Sequence, residues 1–291
     1  MKILVTGTHG QLATSLAEAA TAMPGIELVT AGRPALDLSD PASIRREILS
    51  ARPDIVVSAA AYTAVDRAED EQDLAYAVNV IGAAAVADAA ATLRIPVIHI
   101  STDYVFSGDA GRPYSEDDET EPKTVYGYTK LRGEHAVASA NPRHIILRTS
   151  WVYSPFGANF VKTMLRLSGE RPAISVVTDQ WGNPTSAPDL ADAILLVTTH
   201  PARERPGIYH VAGTGDTNWA GLARSVFEAS KANGGPFAEV HDIASADYPT
   251  RARRPLSSRL CCAKFERTFG WRAPPWQEST AAVVRRVLQP D

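Results

Sequence analysis

The chain has 291 residues, 45% hydrophobic and 21% charged, with a formal net charge of −4 at pH 7. That length suits one large α/β domain or two lobes around a shared cleft, and the balance is that of an ordinary soluble globular protein. No bulk basicity recruits nucleic acid or a membrane surface. The two cysteines, Cys261 and Cys262, are adjacent. A disulfide between neighbours would strain the peptide bond, and no further metal ligands stand beside them. Two small, half-buried thiols in a reducing cytoplasm are expected, with no metal site. The opening MKILVTG has an apolar run of about five residues, too short for a signal h-region. No segment approaches the ~20 apolar residues of a membrane span.

Strands are predicted at 2–7, 26–31, 54–60, 96–102 and 144–150, with helices between them at 11–22, 41–51, 72–93 and 127–139. Apolar strands alternating with helices indicate a parallel sheet with crossovers, and right-handed crossovers wind it into a doubly wound α/β (Rossmann) fold. The loop TGTHGQLATSL, 6–16, leaves the first strand and opens the first helix. Gly7 permits the tight turn, and Gly10 lets backbone approach a pyrophosphate at the helix N-terminus. Ala13 stands where a dinucleotide fingerprint has its third glycine, a position that needs only close helix–sheet packing. The second strand runs out into Arg33, where a ribose is usually read. An arginine there pairs with a 2′-phosphate, or is simply solvated; the first reading leans toward NADPH, with NADH the alternative. Asp37 and Leu38 fall where a loop would border the adenine.

The fourth strand ends in ISTDYVFSG, 100–108. Ser101, Thr102, Asp103 and Tyr104 thus stand at a strand carboxyl end, where such sheets bind ligands. A capped strand-to-loop turn is the plainer alternative. The next helix carries VYGYTKLRGE, 125–134, with Thr124 as its cap. Residues four apart share a helix face and residues two apart do not. Lys130 is therefore stacked with Tyr126, while Tyr128 points elsewhere. An ammonium beside a phenol is expected to lower its pKa and suit it to proton transfer.

After about residue 150 proline, glycine and aromatics rise, and helices are predicted at 158–168, 188–199, 218–231 and 277–288. We expect a dinucleotide-binding domain over 1–150 and a smaller, less regular substrate lobe over 151–291. The segment IYHVAG (208–213), within about 205–215, is a candidate to return to the main sheet.

Taken in order, GTHGQL (7–12), SAAAYTAVDRAE (58–69), AYAVNV (75–80), STDYVFSG (101–108), YGYTKLRGE (126–134), RTSWVYSPFGANFV (148–161), DQWGNPTSA (179–187) and RRPLSSRL (253–260) resemble the extended short-chain dehydrogenase/reductase superfamily. The nearer resemblance is to the dTDP-4-dehydrorhamnose reductase family, across nearly the whole chain. It implies reduction of the C4 ketone of a dTDP-linked 6-deoxysugar. Tyr126 would be the proton donor, Lys130 its partner and a ribose ligand, and Thr102 the replacement for the superfamily's serine. Gly10, Gln11 and Leu12 would touch the pyrophosphate, and Ala61, Tyr62 and Thr63 would line the cofactor. Thr102, Asp103 and Trp151 would meet the sugar nucleotide, joined by Tyr104, Trp181, Arg253 and Arg254; paired arginines suit a diphosphate. Ser58 departs from the family's usual asparagine. A homodimer and magnesium are allowed by the resemblance, with no magnesium ligands assignable. Other 4-ketoreductases, an epimerase and a non-catalytic regulatory subunit share parts of the pattern. A dehydratase is disfavoured, because Tyr104 stands where its glutamate would follow Asp103.

Overall fold

The computed structural model describes residues 1–289. Its main sheet has six parallel strands: β1 Lys2–Thr6, β2 Glu27–Ala31, β3 Ile55–Ser58, β4 Val97–Thr102, β5 His144–Thr149 and β6 Gly207–His210. The spatial order is β6-β5-β4-β3-β1-β2. Strand order reverses between β1 and β3, and the carboxyl ends of strands beside such a switch form a ligand crevice. The inner strands are apolar on both faces because helices cover both. On one face Leu12, Leu16, Ile194 and Phe265 pack with Ile3 and Val57; on the other Ile44, Val86 and Val137 pack with Leu4 and Val56.

The later part of the chain is woven into this frame. β6 pairs with β5 through Ile208↔Ile146 and Tyr209↔Leu147. The helix Ala187–Thr199 packs beside the first helix, Gln11–Thr21, under the sheet. The short helix Ala263–Phe269 adds Phe265 and Phe269 to the same core. That helix and a parallel ladder of Ala173–Val177 with Glu239–Ile243 are absent from the expected elements. Both are short segments whose structure depends on distant partners. A separate core of Val161, Leu165, Val226, Phe227 and Val284 holds the outer lobe together.

The expectation about membrane-spanning length needs one correction. Gln72–Thr92 is a continuous helix of 21 residues whose most apolar 18-residue stretch has mean hydropathy 1.6, long and apolar enough to cross a membrane by length and composition. Nine of its residues are alanine, and half of that stretch is buried inside the protein, as in a core helix. Its middle turns widen into a π-helix over Ala77–Gly82. There the buried Asn79 accepts from the Tyr62 N–H at 2.8 Å and donates to the Tyr62 carbonyl and the Thr129 hydroxyl, each at 3.1 Å.

Candidate active site

A cavity of about 710 Å³ opens at the carboxyl ends of β1, β3, β4 and β5. Gly7, Gly10, Gln11 and Leu12 line one end. Gly7 has φ +98°, a conformation glycine enters without a Cβ penalty. Its N–H reaches the Ala31 carbonyl at 2.6 Å, fixing the turn against β2. The first helix then starts without a side-chain cap and without an acid in its first turn. A Cβ at Gly10 would meet nothing within 4 Å. Uncapped N–H groups beside open space suit an anionic ligand such as a pyrophosphate. The Gln11 side chain turns to the outer lobe, accepting from Ser154 Oγ at 2.9 Å and Asn159 Nδ2 at 3.0 Å. Gln11 and Asn159 thereby tie the loop to that lobe.

Ala61, Thr63, Thr102, Asp103, Tyr104, Tyr126, Lys130, Trp151 and Arg254 line the same cavity. Arg33, Asp37, Leu38, Tyr62, Trp181 and Arg253 do not. Arg33 and Arg253 are exposed. The Asp37 carboxylate is held below its usual range, first by the Ser39 N–H and hydroxyl, with the Arg33 charge adding to them. Leu38 is core, and Tyr62 is turned inward with its hydroxyl 2.7 Å from Glu71.

Thr124 caps the helix Val125–Ala140, accepting the Gly127 N–H at 3.0 Å. Tyr126 faces the cavity, edge-on to Tyr104 with ring centroids 5.7 Å apart. Tyr128 lies outside it, 50% exposed. Burial pushes the Tyr126 phenol up to about 12; the Thr102 hydroxyl opposes that rise and the Asp103 charge adds to it. The expectation that Lys130 acidifies this phenol is not met. The Lys130 ammonium turns toward β4 and donates to the Ile100 carbonyl at 2.7 Å, so its charge is directed into the sheet. Burial lowers its own pKa to about 8, against the pull of Glu134.

The Thr102 hydroxyl also reaches Asp103 Oδ1 at 2.9 Å and accepts the Tyr104 N–H at 3.2 Å. Asp103 is buried; desolvation raises its pKa to about 6, opposed by hydrogen bonds from Ser258 and Thr102. Behind these groups lies a buried pair that sequence spacing did not single out. Arg148 donates to Glu134 from Nε at 2.9 Å and Nη2 at 2.7 Å, and Ser101 donates to Glu134 Oε1 at 2.5 Å.

The far wall is aromatic. Trp151, at φ +48°, stacks on Trp219 with centroids 3.6 Å apart, and Phe160 leans on Trp219 at 4.7 Å. Trp219 was not anticipated; nothing in its local sequence marks it. At the rim Arg254 Nη2 donates to Asp66 at 2.7 Å, while its Nε is buried without a hydrogen-bond partner. Among the described residues no three His, Cys, Asp or Glu side chains come together to hold a metal.

The chain matches the family model described as RmlD substrate binding domain over residues 1–289. It is 51% identical over 292 residues to the dTDP-4-dehydrorhamnose reductase of Sinorhizobium fredii, covering 99% of this chain and 98% of that protein. A crystal structure of a dTDP-4-dehydrorhamnose reductase from Clostridium acetobutylicum superposes with a TM-score of 0.93 at 35% identity, covering 99% of this chain and 100% of that one. The dTDP-4-dehydrorhamnose reductase of Bacillus anthracis, solved in complex with NADP, gives 0.90 at 35% identity, with 97% and 98% covered.

Proposed function

We propose that this chain, which belongs to the dTDP-4-dehydrorhamnose reductase family, reduces the C4 ketone of dTDP-4-dehydrorhamnose to give dTDP-L-rhamnose with NADPH. One observation carries the reading: the first-loop glycines, Thr102, Tyr126 and Lys130 line a single cavity. The uncapped helix end and the space above Gly10 fit the cofactor's pyrophosphate. Exposed Arg33 at the end of β2 is the residue we assign to the 2′-phosphate, with Asp37 and Leu38 bordering the adenine.

Bound NADPH supplies the hydride that reaches C4. Tyr126 delivers the proton to the oxygen at C4. Because burial keeps its pKa high, the group holds its proton throughout the neutral range and releases it only to a strong base such as the developing alkoxide. Thr102 lines the cavity beside Tyr126, and its hydroxyl holds back the rise of the phenol pKa, so we assign it to orienting the phenol. Lys130 keeps one ammonium proton for a ribose hydroxyl. Trp151, with Trp219 behind it, walls the sugar nucleotide, and positioning supplies much of the acceleration.

Arg254 is the arginine we assign to the substrate diphosphate, exchanging Asp66 for phosphate oxygens; Arg253, in solvent, is not. Arg254→Ala is expected to raise the KM for the sugar nucleotide by about 10- to 100-fold, the equivalent of a lost charge-assisted hydrogen bond or two. An unchanged KM would remove Arg254 from the substrate site. The reaction itself is tested by offering dTDP-4-dehydro-6-deoxyhexoses of both C5 configurations with NADPH and with NADH, and identifying the product. dTDP-L-rhamnose formed with NADPH is the expected result; no turnover of either sugar would overturn the assignment. We place the enzyme in the cytoplasm, in keeping with its free cysteines. A homodimer is the assembly we propose.

A further inference from the structure

Ser58, the departure from the family's usual asparagine, ends β3 beside β4. Its hydroxyl lies 3.1 Å from His99 Nδ1. His99 is 1% exposed, and its other ring nitrogen, Nε2, lies 3.4 Å from Lys130 Nζ. The Ile100 carbonyl accepts from the same ammonium at 2.7 Å. Close approach of the helix allows this contact: a Cβ at Gly133 would collide with the Asn79 carbonyl, holding the helix off.

The direction of each hydrogen bond follows from proton counting. An ammonium only donates, so His99 Nε2 must be the bare nitrogen. The ring proton then sits on Nδ1 and is donated to Ser58 Oγ. Burial and the Lys130 charge both hold His99 neutral, its pKa well below the usual value. The charged groups around Lys130 are few. Glu134, one turn along its own helix, favours the ammonium, but that carboxylate is occupied by Arg148 of β5 and Ser101 of β4. Asp103 acts on Tyr126, not on Lys130.

We propose that His99, its tautomer fixed by Ser58, is a positioning residue for Lys130. His99 and the Ile100 carbonyl take two of the three ammonium protons on the sheet side and leave the third for the cavity. The inference rests on Lys130 serving the reduction proposed above. Without the imidazole acceptor the buried ammonium is held less well and loses its proton at lower pH.

The test compares His99→Leu, which removes the acceptor, with His99→Gln, whose Oε1 replaces it. The alkaline limb of the kcat/KM profile is expected to move down by about one pH unit in His99→Leu, on the scale of one hydrogen bond to a charged group. His99→Gln is expected to restore it. A folded His99→Leu with an unmoved limb would overturn the proposal. A second measurement needs no turnover. Imidazole ¹⁵N spectra of the unaltered protein, with the His99 signals assigned by their loss in His99→Gln and so told apart from buried His210, whose Nδ1 faces the Tyr114 carbonyl at 3.1 Å, are expected to show His99 as the neutral Nδ1–H tautomer. A charged ring, or the Nε2–H tautomer, at His99 sinks the idea even if the sugar is reduced as proposed. Failure to reduce any dTDP-sugar with the tautomer intact would instead overturn the reaction assignment.

Discussion

Tyr126→Phe is expected to lower kcat for ketone-dependent NADPH oxidation by about 10²- to 10⁴-fold, the range of a lost general acid. Tyr128→Phe is expected to retain most activity. The two phenols stand two residues apart on one helix, yet only Tyr126 lines the cavity; Tyr128 is 50% exposed outside it. The ring of Tyr126 stays against Tyr104 in the phenylalanine variant, so packing changes little and the loss reports the missing O–H. Steady-state rates of both purified variants, with thermal melts to confirm folding, decide it. If Tyr128→Phe is equally inactive and folded, the assignment of the donor by helix face is wrong.

The second large effect is on stability. Arg148 and Glu134 are 2% and 1% exposed and share two hydrogen bonds, with Ser101 completing the carboxylate. Glu134→Ala strands a guanidinium inside the protein, against the Phe106 ring 5.0 Å away. Removing one partner of such a pair costs about 3–5 kcal/mol, because the other charge remains buried. Urea unfolding of Glu134→Ala is expected to show a loss of that size. The double replacement Glu134→Met with Arg148→Met is expected to be more stable than Glu134→Ala alone, since it leaves no stranded charge. A single variant within ~1 kcal/mol of the parent would mean that water or a neighbour compensates Arg148.

The pH profile carries a further expectation. Lys130 titrates near 8 in the free protein, lowered by burial. Its ammonium is the working form, so kcat/KM is expected to fall as pH rises through about 8. A profile flat to pH 10 would show that Lys130 keeps its proton or contributes no charge.

Local pattern determined much by itself. Apolar runs bounded by glycine and proline located β1 to β5, because a buried parallel strand must be apolar on both faces. The four-residue step from Tyr126 to Lys130 determined that they share a helix face, because helix geometry is local. The order of motifs pointed to the family. Tertiary structure decided the rest. Only the packed sheet turns the Lys130 ammonium onto Ile100 and His99 rather than toward the phenol. Only the fold brings Gln11 to Asn159, Trp151 to Trp219 and Glu134 to Arg148. Arg33 and Arg254 look alike in a sequence, yet one lies in solvent and the other lines the cavity. The physical reason is common to all of these: each contact joins segments remote in the chain, and burial, which no local period encodes, sets which polar groups must find partners and which charges can persist.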